Sequence, residues 1–168
     1  GLVAEKFIKF TGNRYKIIYA IEPDADNMKI LKNQLKDINN IKMLKCALSN
    51  KIKKEKFYQG FNYISKLNKN GNSLIEAVTL DRIKIPASFI KIHLEGGELN
   101  SLAGAMETIR KFRPIIAVTL YHNPDGVWRI PFFVINNTKN YKYYIRLHSW
   151  GGTGAVLYAI PKERSSKN

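Results

Sequence analysis

The chain has 168 residues, 45% hydrophobic and 24% charged, which is the balance of one globular domain and argues against a disordered chain. Against 13 Asp and Glu stand 28 Lys and Arg, a formal charge of +15 that favours acidic partners such as nucleic acid, anionic lipid or acidic glycan. A single cysteine, Cys46, excludes an internal disulfide framework and CxxC-type zinc chemistry, so a reduced, cytoplasmic compartment is the default expectation.

Residues Leu2 to Phe10 place Val3, Phe7 and Phe10 at helical spacing, with Gly12 as a C-cap. Lys16 to Ile21 is a short apolar run that reads as a buried strand. Pro23 and Asp24 then open a helix whose Met28, Leu31, Leu35 and Ile38 share one face. Ile41 to Ala47 reads as a second buried strand, and Glu55 to Gln59 as a short third one. Gly60 to Ser73 is polar and reads as a loop, and Ala77 to Leu80 as a weak strand. Ser88 to His93 is a stronger strand, closed by the tight turn Glu95-Gly96-Gly97-Glu98. A helix follows with Leu99, Leu102, Met106 and Ile109 on one face, and Pro114 stops it. Ile115 to Leu120 is the most hydrophobic strand. After it come a polar loop from Tyr121 to Gly126 and a helix around Trp128 to Ile135. Tyr143 to His148 and Ala155 to Ile160, joined by the Gly-rich turn Trp150 to Gly154, form an antiparallel hairpin.

Buried strands alternating with amphipathic helices predict a doubly wound, mostly parallel α/β sheet, with the hairpin adding one antiparallel strand at an edge. No repeat or linker divides the chain, so residues 1–168 are expected to form a single domain. No apolar run reaches the roughly 18 residues of a membrane helix. In such sheets ligands sit past the carboxyl ends of the parallel strands. Glu22 stands at such a place. An acid about 20 positions after a Gly-rich turn can accept both hydroxyls of a ribose. Gly1 lies 21 positions earlier and would be the last glycine of that turn. The plain alternative is a carboxylate that caps or solvates its loop. Basic residues are spread over most segments, so the charge reads as a composition bias, and nucleic acid is not the expected partner.

Glu22-Pro23-Asp24, Ala47-Leu48-Ser49, Thr79-Leu80-Asp81, Ile90 through Glu98 and Tyr121-His122-Asn123 follow one another over nearly the whole chain. Together they resemble the FkbM-type family of S-adenosylmethionine-dependent methyltransferases. The resemblance implies a Rossmann-like methyltransferase fold and S-adenosyl-L-methionine as cofactor. It also implies methyl transfer to a hydroxyl oxygen of a sugar, glycan or other small-molecule acceptor. By the same resemblance Glu22 takes the ribose, Ala47, Leu48 and Ser49 the adenine rim, and Glu95 and Glu98 the cofactor or acceptor. His93, Glu95 and His122 are the candidate catalytic residues, the two histidines as bases for the acceptor proton, with His148 more remote. No metal ligands are assigned.

Two departures from the family pattern stand out. Its opening strand and D-x-G-A-x-x-G turn are absent, with Gly1 as the turn's last residue, so weak cofactor binding is expected. His93 stands where the signature has its first acid, and the acids at 95 and 98 are expected to hold it as an imidazolium. The plain alternatives are that Glu95 and Glu98 merely favour a helix start, that His122 bonds only its own loop, and that Cys46 is inert. Two rival functions follow: a non-catalytic basic domain binding a polyanion, and an inactive methyltransferase remnant.

Overall fold

The computed structural model describes residues 2–58, 66–67, 69–150 and 154–165. The chain forms two compact units, Gly1–Ala47 with Lys53–Ala77, and Leu48–Ile52 with Val78–Asn168.

The first unit opens with helix α1 (Leu2–Thr11) and strand β1 (Ile18–Ile21). Helix α2 (Ala25–Gln34) follows, and the Asp24 carboxylate caps it by accepting the Asp26 and Asn27 N–H groups at 2.9 and 3.1 Å. Such a cap is worth about 1 kcal/mol. Met28, Leu31 and Leu35 are buried, and Ala4, Ala20, Ile38, Ile41 and Met43 pack against them. This cluster seats α2 against strand β2 (Ile41–Leu44), which pairs parallel with β1 from Ile18↔Ile41 to Ile21↔Leu44. The strand expected over residues 41–47 therefore stops early. Glu22 N–H makes the last bond, to Leu44 O at 3.1 Å, and Pro23 has no N–H with which to extend the ladder.

Ala47–Leu48 is instead a separate short strand, β3, in a four-stranded sheet of order β3-β6-β4-β5. Its other members are β4 (Lys53–Tyr58), β5 (Lys66–Leu67) and β6 (Ser73–Val78), with β4 antiparallel to both β5 and β6. Two expectations fail here. The stretch read as a loop over 60–73 contains β5, while residues 59–65 and 68 lie outside the described residues. The weak strand read over 77–80 is the end of β6, and Leu80 already belongs to helix α3 (Leu80–Ile83). Thr79 switches the chain from strand to helix, because its hydroxyl accepts Arg82 N–H at 3.1 Å.

In the second unit strands β7 (Phe89–Ile92), β8 (Ile115–Thr119), β9 (Tyr141–Leu147) and β10 (Ala155–Pro161) form a sheet of order β7-β8-β10-β9. β7 and β8 are parallel, whereas β10 is antiparallel to both β8 and β9. The antiparallel strand thus lies inside the sheet and not at its edge. Burial explains the choice. β10 alternates buried Ala155, Leu157, Ala159 and Pro161 with half-buried residues, while β9 is exposed over most of its length, as an edge strand is.

The helix expected after the Glu95–Glu98 turn is two helices, α4 (Glu98–Ala103) and α5 (Met106–Phe112). Gly104 separates them. A Cβ there would lie 2.1 Å from Ser49 O, so the backbones touch only because this residue is glycine. Asp81 then caps α5, accepting the Glu107 and Thr108 N–H groups at 3.0 and 2.7 Å. Helix α6 (Gly126–Asn137) tolerates Pro131 and buries Ile130 and Val134. In the hairpin turn, residues 151–153 lie outside the described residues, and Gly154 adopts φ 88°.

Candidate active site

Alternation along β7 buries Ile90 and Ile92 and leaves Phe89 and Lys91 on the other face, which His93 continues just past the strand. The turn that follows carries Glu95 at φ 49° and Gly96 at φ 102°, and closes with Gly97 N–H donating to Leu94 O at 3.1 Å. Glu98, the first residue of α4, folds its carboxylate back under this turn. Its Oε1 accepts Leu94 N–H at 2.9 Å, Thr119 Oγ1 at 3.0 Å and His122 Nδ1 at 2.5 Å; its Oε2 accepts Gly96 N–H at 3.0 Å. The side chain is 2% exposed. Burial alone would raise its pKa, but the bonds from Leu94 N–H and His122 prevail and hold the carboxyl below its usual range. Glu98 is therefore a buried carboxylate that ties turn, strand end and imidazole together, and it does not face an open ligand surface as the resemblance implied.

With Nδ1 held by a carboxylate, His122 turns its Nε2 outward, 3.3 Å from Glu95 Oε1. His93 Nε2 approaches the same oxygen at 3.3 Å. One donor atom from each of His93, Glu95 and His122 lies within 4.8 Å of the others. The two imidazole rings are 4.7 Å apart at a tilt, and the Tyr121 ring lies 4.4 Å from that of His122. The three candidate catalytic residues thus come together in this unit.

The protonation expected of His93 is overturned. Its side chain keeps about two fifths of its exposure. Even so, burial, then Lys91 and His122, push its pKa down against the opposing pull of Glu95, which favours the neutral ring. Proximity of two acids in sequence was a poor guide, because Glu98 is spent on His122 and the turn. Lys91, two residues back on the same face, supplies a positive charge instead. Burial, then Glu95 and Glu98, raise the pKa of the Tyr121 phenol.

Three supporting residues were not singled out from sequence. Thr119 binds Glu98, Lys91 sets the charge beside His93, and Asn123 Nδ2 donates to Gly96 O at 3.0 Å. Asn123 had a signal, its place in the Tyr121-His122-Asn123 segment; Thr119 had none beyond lying at the end of a strand.

In the first unit Glu22 sits half-buried at the end of β1, and its Oε1 accepts Asp24 N–H at 2.9 Å. Burial is the main reason that its pKa is raised. The neighbouring Pro23 lines a cleft of about 170 Å³ with Lys45, Leu74, Ile75 and Glu76. Ala47 and Ser49 are buried and Leu48 half-buried, and Ser49 N–H is occupied by Val78 O at 2.8 Å. Gly1 lies outside the described residues. His148 belongs to the hairpin, where its Nε2 meets Tyr158 OH at 2.9 Å.

A parallel βαβ pair and a mixed sheet with an inserted antiparallel strand define an α/β chain with an acid–imidazole cluster past its strand ends. The Methyltransferase FkbM domain, as a family, matches residues 1–146. The chain belongs to the FkbM methyltransferase family. It is similar in fold to the crystal structure of methyltransferase FkbM from Methylobacillus flagellatus KT, with a TM-score of 0.78 at 23% identity. That match covers 95% of this chain and 40% of the other, so this chain spans well under half of that protein's length. No curated protein matches it. Among the described residues no helix is long and apolar enough to cross a membrane.

Proposed function

We propose that the protein moves a methyl group from S-adenosylmethionine to a hydroxyl oxygen of a sugar, glycan or other natural product. The family match over residues 1–146 carries this reading. When bound, the cofactor supplies an electrophilic methyl carbon: the acceptor oxygen attacks in line, the carbon–sulfur bond breaks and sulfur keeps the electron pair. Alignment supplies much of the rate in such a displacement, so what the protein must provide is position and a proton acceptor.

Glu22 fits the role of ribose ligand. A carboxylate has about four lone-pair sites, and among the described residues Glu22 engages Asp24 N–H and the Asn27 side chain, which leaves acceptors for a vicinal diol. Leu48, less buried than Ala47 and Ser49, is the best placed of the three to offer an apolar edge to the adenine. In the second unit Glu95 and the Nε2 edges of His93 and His122 are the groups able to take the acceptor proton. Glu98 positions His122 by fixing its tautomer, as a carboxylate behind a catalytic histidine does. A cytoplasmic setting is compatible with the free, buried thiol of Cys46.

Calorimetric titration with S-adenosylmethionine tests the cofactor assignment. Charge-assisted bonds of about 1.5–3 kcal/mol each predict that Glu22→Ala weakens binding more than tenfold. Equal affinity in the two proteins removes Glu22 from the site, and no binding by the wild type overturns the reading.

A further inference from the structure

We propose that His93, Glu95 and His122 form a binding site for one divalent transition-metal ion, held by two imidazole nitrogens and one carboxylate oxygen. The spacing carries the argument. Glu95 Oε1 lies 3.3 Å from Nε2 of each histidine. Ligands bound tetrahedrally at about 2.0–2.1 Å stand about 3.3–3.4 Å from one another. Two edges of such a tetrahedron are therefore already in place. One ligand atom from each of the three residues lies within 4.8 Å of the others, and His93, the most exposed of the three side chains, is the one free to rotate and close the third edge.

The hydrogen-bond bookkeeping points the same way. The buried Glu98 carboxylate accepts from His122 Nδ1, which leaves Nε2 as the ring nitrogen that faces the oxygen of Glu95. A ring nitrogen and a carboxylate oxygen at that spacing share a cation, either a proton or a metal ion. A proton can serve one imidazole at a time, whereas a metal ion serves all three groups at once. A histidine that binds metal through one nitrogen and a carboxylate through the other is the usual arrangement behind metal sites, because the carboxylate fixes the ring and raises its basicity. Glu95 and Glu98 together balance a double positive charge, with Lys91 as the opposing charge beside His93. Imidazole ligands suit zinc, copper, iron or nickel, whereas magnesium and calcium take oxygen ligands. Three protein ligands also leave a coordination position open, as in catalytic rather than structural sites.

What the ion does there rests on the methyl-transfer reading; that it binds does not. In that reading the open position takes the acceptor hydroxyl. The ion lowers the hydroxyl's pKa, the proton leaves to solvent water, and the resulting alkoxide attacks the methyl carbon as the carbon–sulfur bond breaks. With the ion in place the three side chains are ligands and no longer bases.

The test is titration of the chelator-stripped protein with Co²⁺, followed by visible absorption and calorimetry, with Zn²⁺ as competitor. The expected result is saturation at one ion per chain, displaced by Zn²⁺. His122→Ala and Glu95→Gln should each weaken binding by more than tenfold, and Glu98→Gln by about 10–100-fold. His148→Ala, outside the cluster, should retain one equivalent. Glu95 lies on an open turn, so its variant keeps the test valid if the His122 variant does not fold. No saturable Co²⁺ binding by the wild type overturns the proposal, and so does wild-type affinity in the Glu95 and His122 variants. Titration of the same samples with S-adenosylmethionine separates the two readings. Cofactor binding without metal binding sinks the metal site alone, and metal binding without cofactor binding sinks the methyl-transfer reading alone.

Discussion

Gly96 is the residue on which the acid turn depends most directly. Its φ of 102° is closed to side chains, and a Cβ there would stand 3.1 Å from Asn123 Oδ1. Its N–H meets Glu98 and its carbonyl meets Asn123, so the strain cannot be relieved without losing a bond. Gly96→Ala should destabilise the protein by about 1–2 kcal/mol, read as a lower urea midpoint at unchanged slope. An unchanged midpoint would mean that the turn flexes freely. The residues of this turn were legible in the sequence as a signature, but the role of Glu98 was not. Its side-chain partners Thr119 and His122 lie 21 and 24 positions further on, and only the fold brings them to it. The same long-range pairing explains why the charge state of His93 could not be read from its neighbours in sequence.

Among elements, the broken helix between β7 and β8 shows packing overriding periodicity. Leu99, Leu102, Met106 and Ile109 keep helical spacing straight through the break, so nothing local announces it. The break comes from Gly104 meeting Ser49 and from Asp81 capping α5 across 26 positions. Asp81→Ala should cost about 0.5–2 kcal/mol, as loss of a helix cap does, and Asp81→Asn much less. Equal loss in the two variants, compared by thermal melts, would argue against a capping role.

At the far end of α5, Arg113 binds Glu163 Oε1 and Oε2 at 2.6 and 3.0 Å and reaches Lys139 O at 2.9 Å. The Arg113 guanidinium lowers the Glu163 pKa from 4.5 to about 2. A depressed carboxyl stabilises the folded chain above its unfolded pKa, and that contribution is lost as pH falls through the folded one. Glu163→Gln should therefore be less stable than wild type at neutral pH. The difference should shrink below pH 4.5 and vanish near 2. A gap that stays constant over that range would remove the ion pair as its cause. The pair is exposed, so the effect is small.

For the whole molecule, alternation of apolar strands and amphipathic helices made the fold class legible. The place of the terminal hairpin was not, because strand order follows from which of two similar strands can be covered on both sides. The charge of +15 is a property of the whole chain. If it is a composition bias, heparin or RNA should bind weakly and lose about 10³–10⁵ in affinity between ~50 and ~200 mM salt. Submicromolar binding that survives the higher salt would favour a polyanion-binding role over methyl transfer.

The order β7-β8-β10-β9 also bears on how the second unit is made. β9 joins the sheet only through β10, and β8 meets β10 on the side away from β7. During synthesis β8, the most apolar strand, must therefore wait with one edge open until Ala155 to Pro161 have left the ribosome. A nascent chain halted before Ala155 offers two bare edges to its neighbours, which is the condition under which strands pair with the wrong partner. β10, made after both its neighbours, is the strand that fills the gap between them.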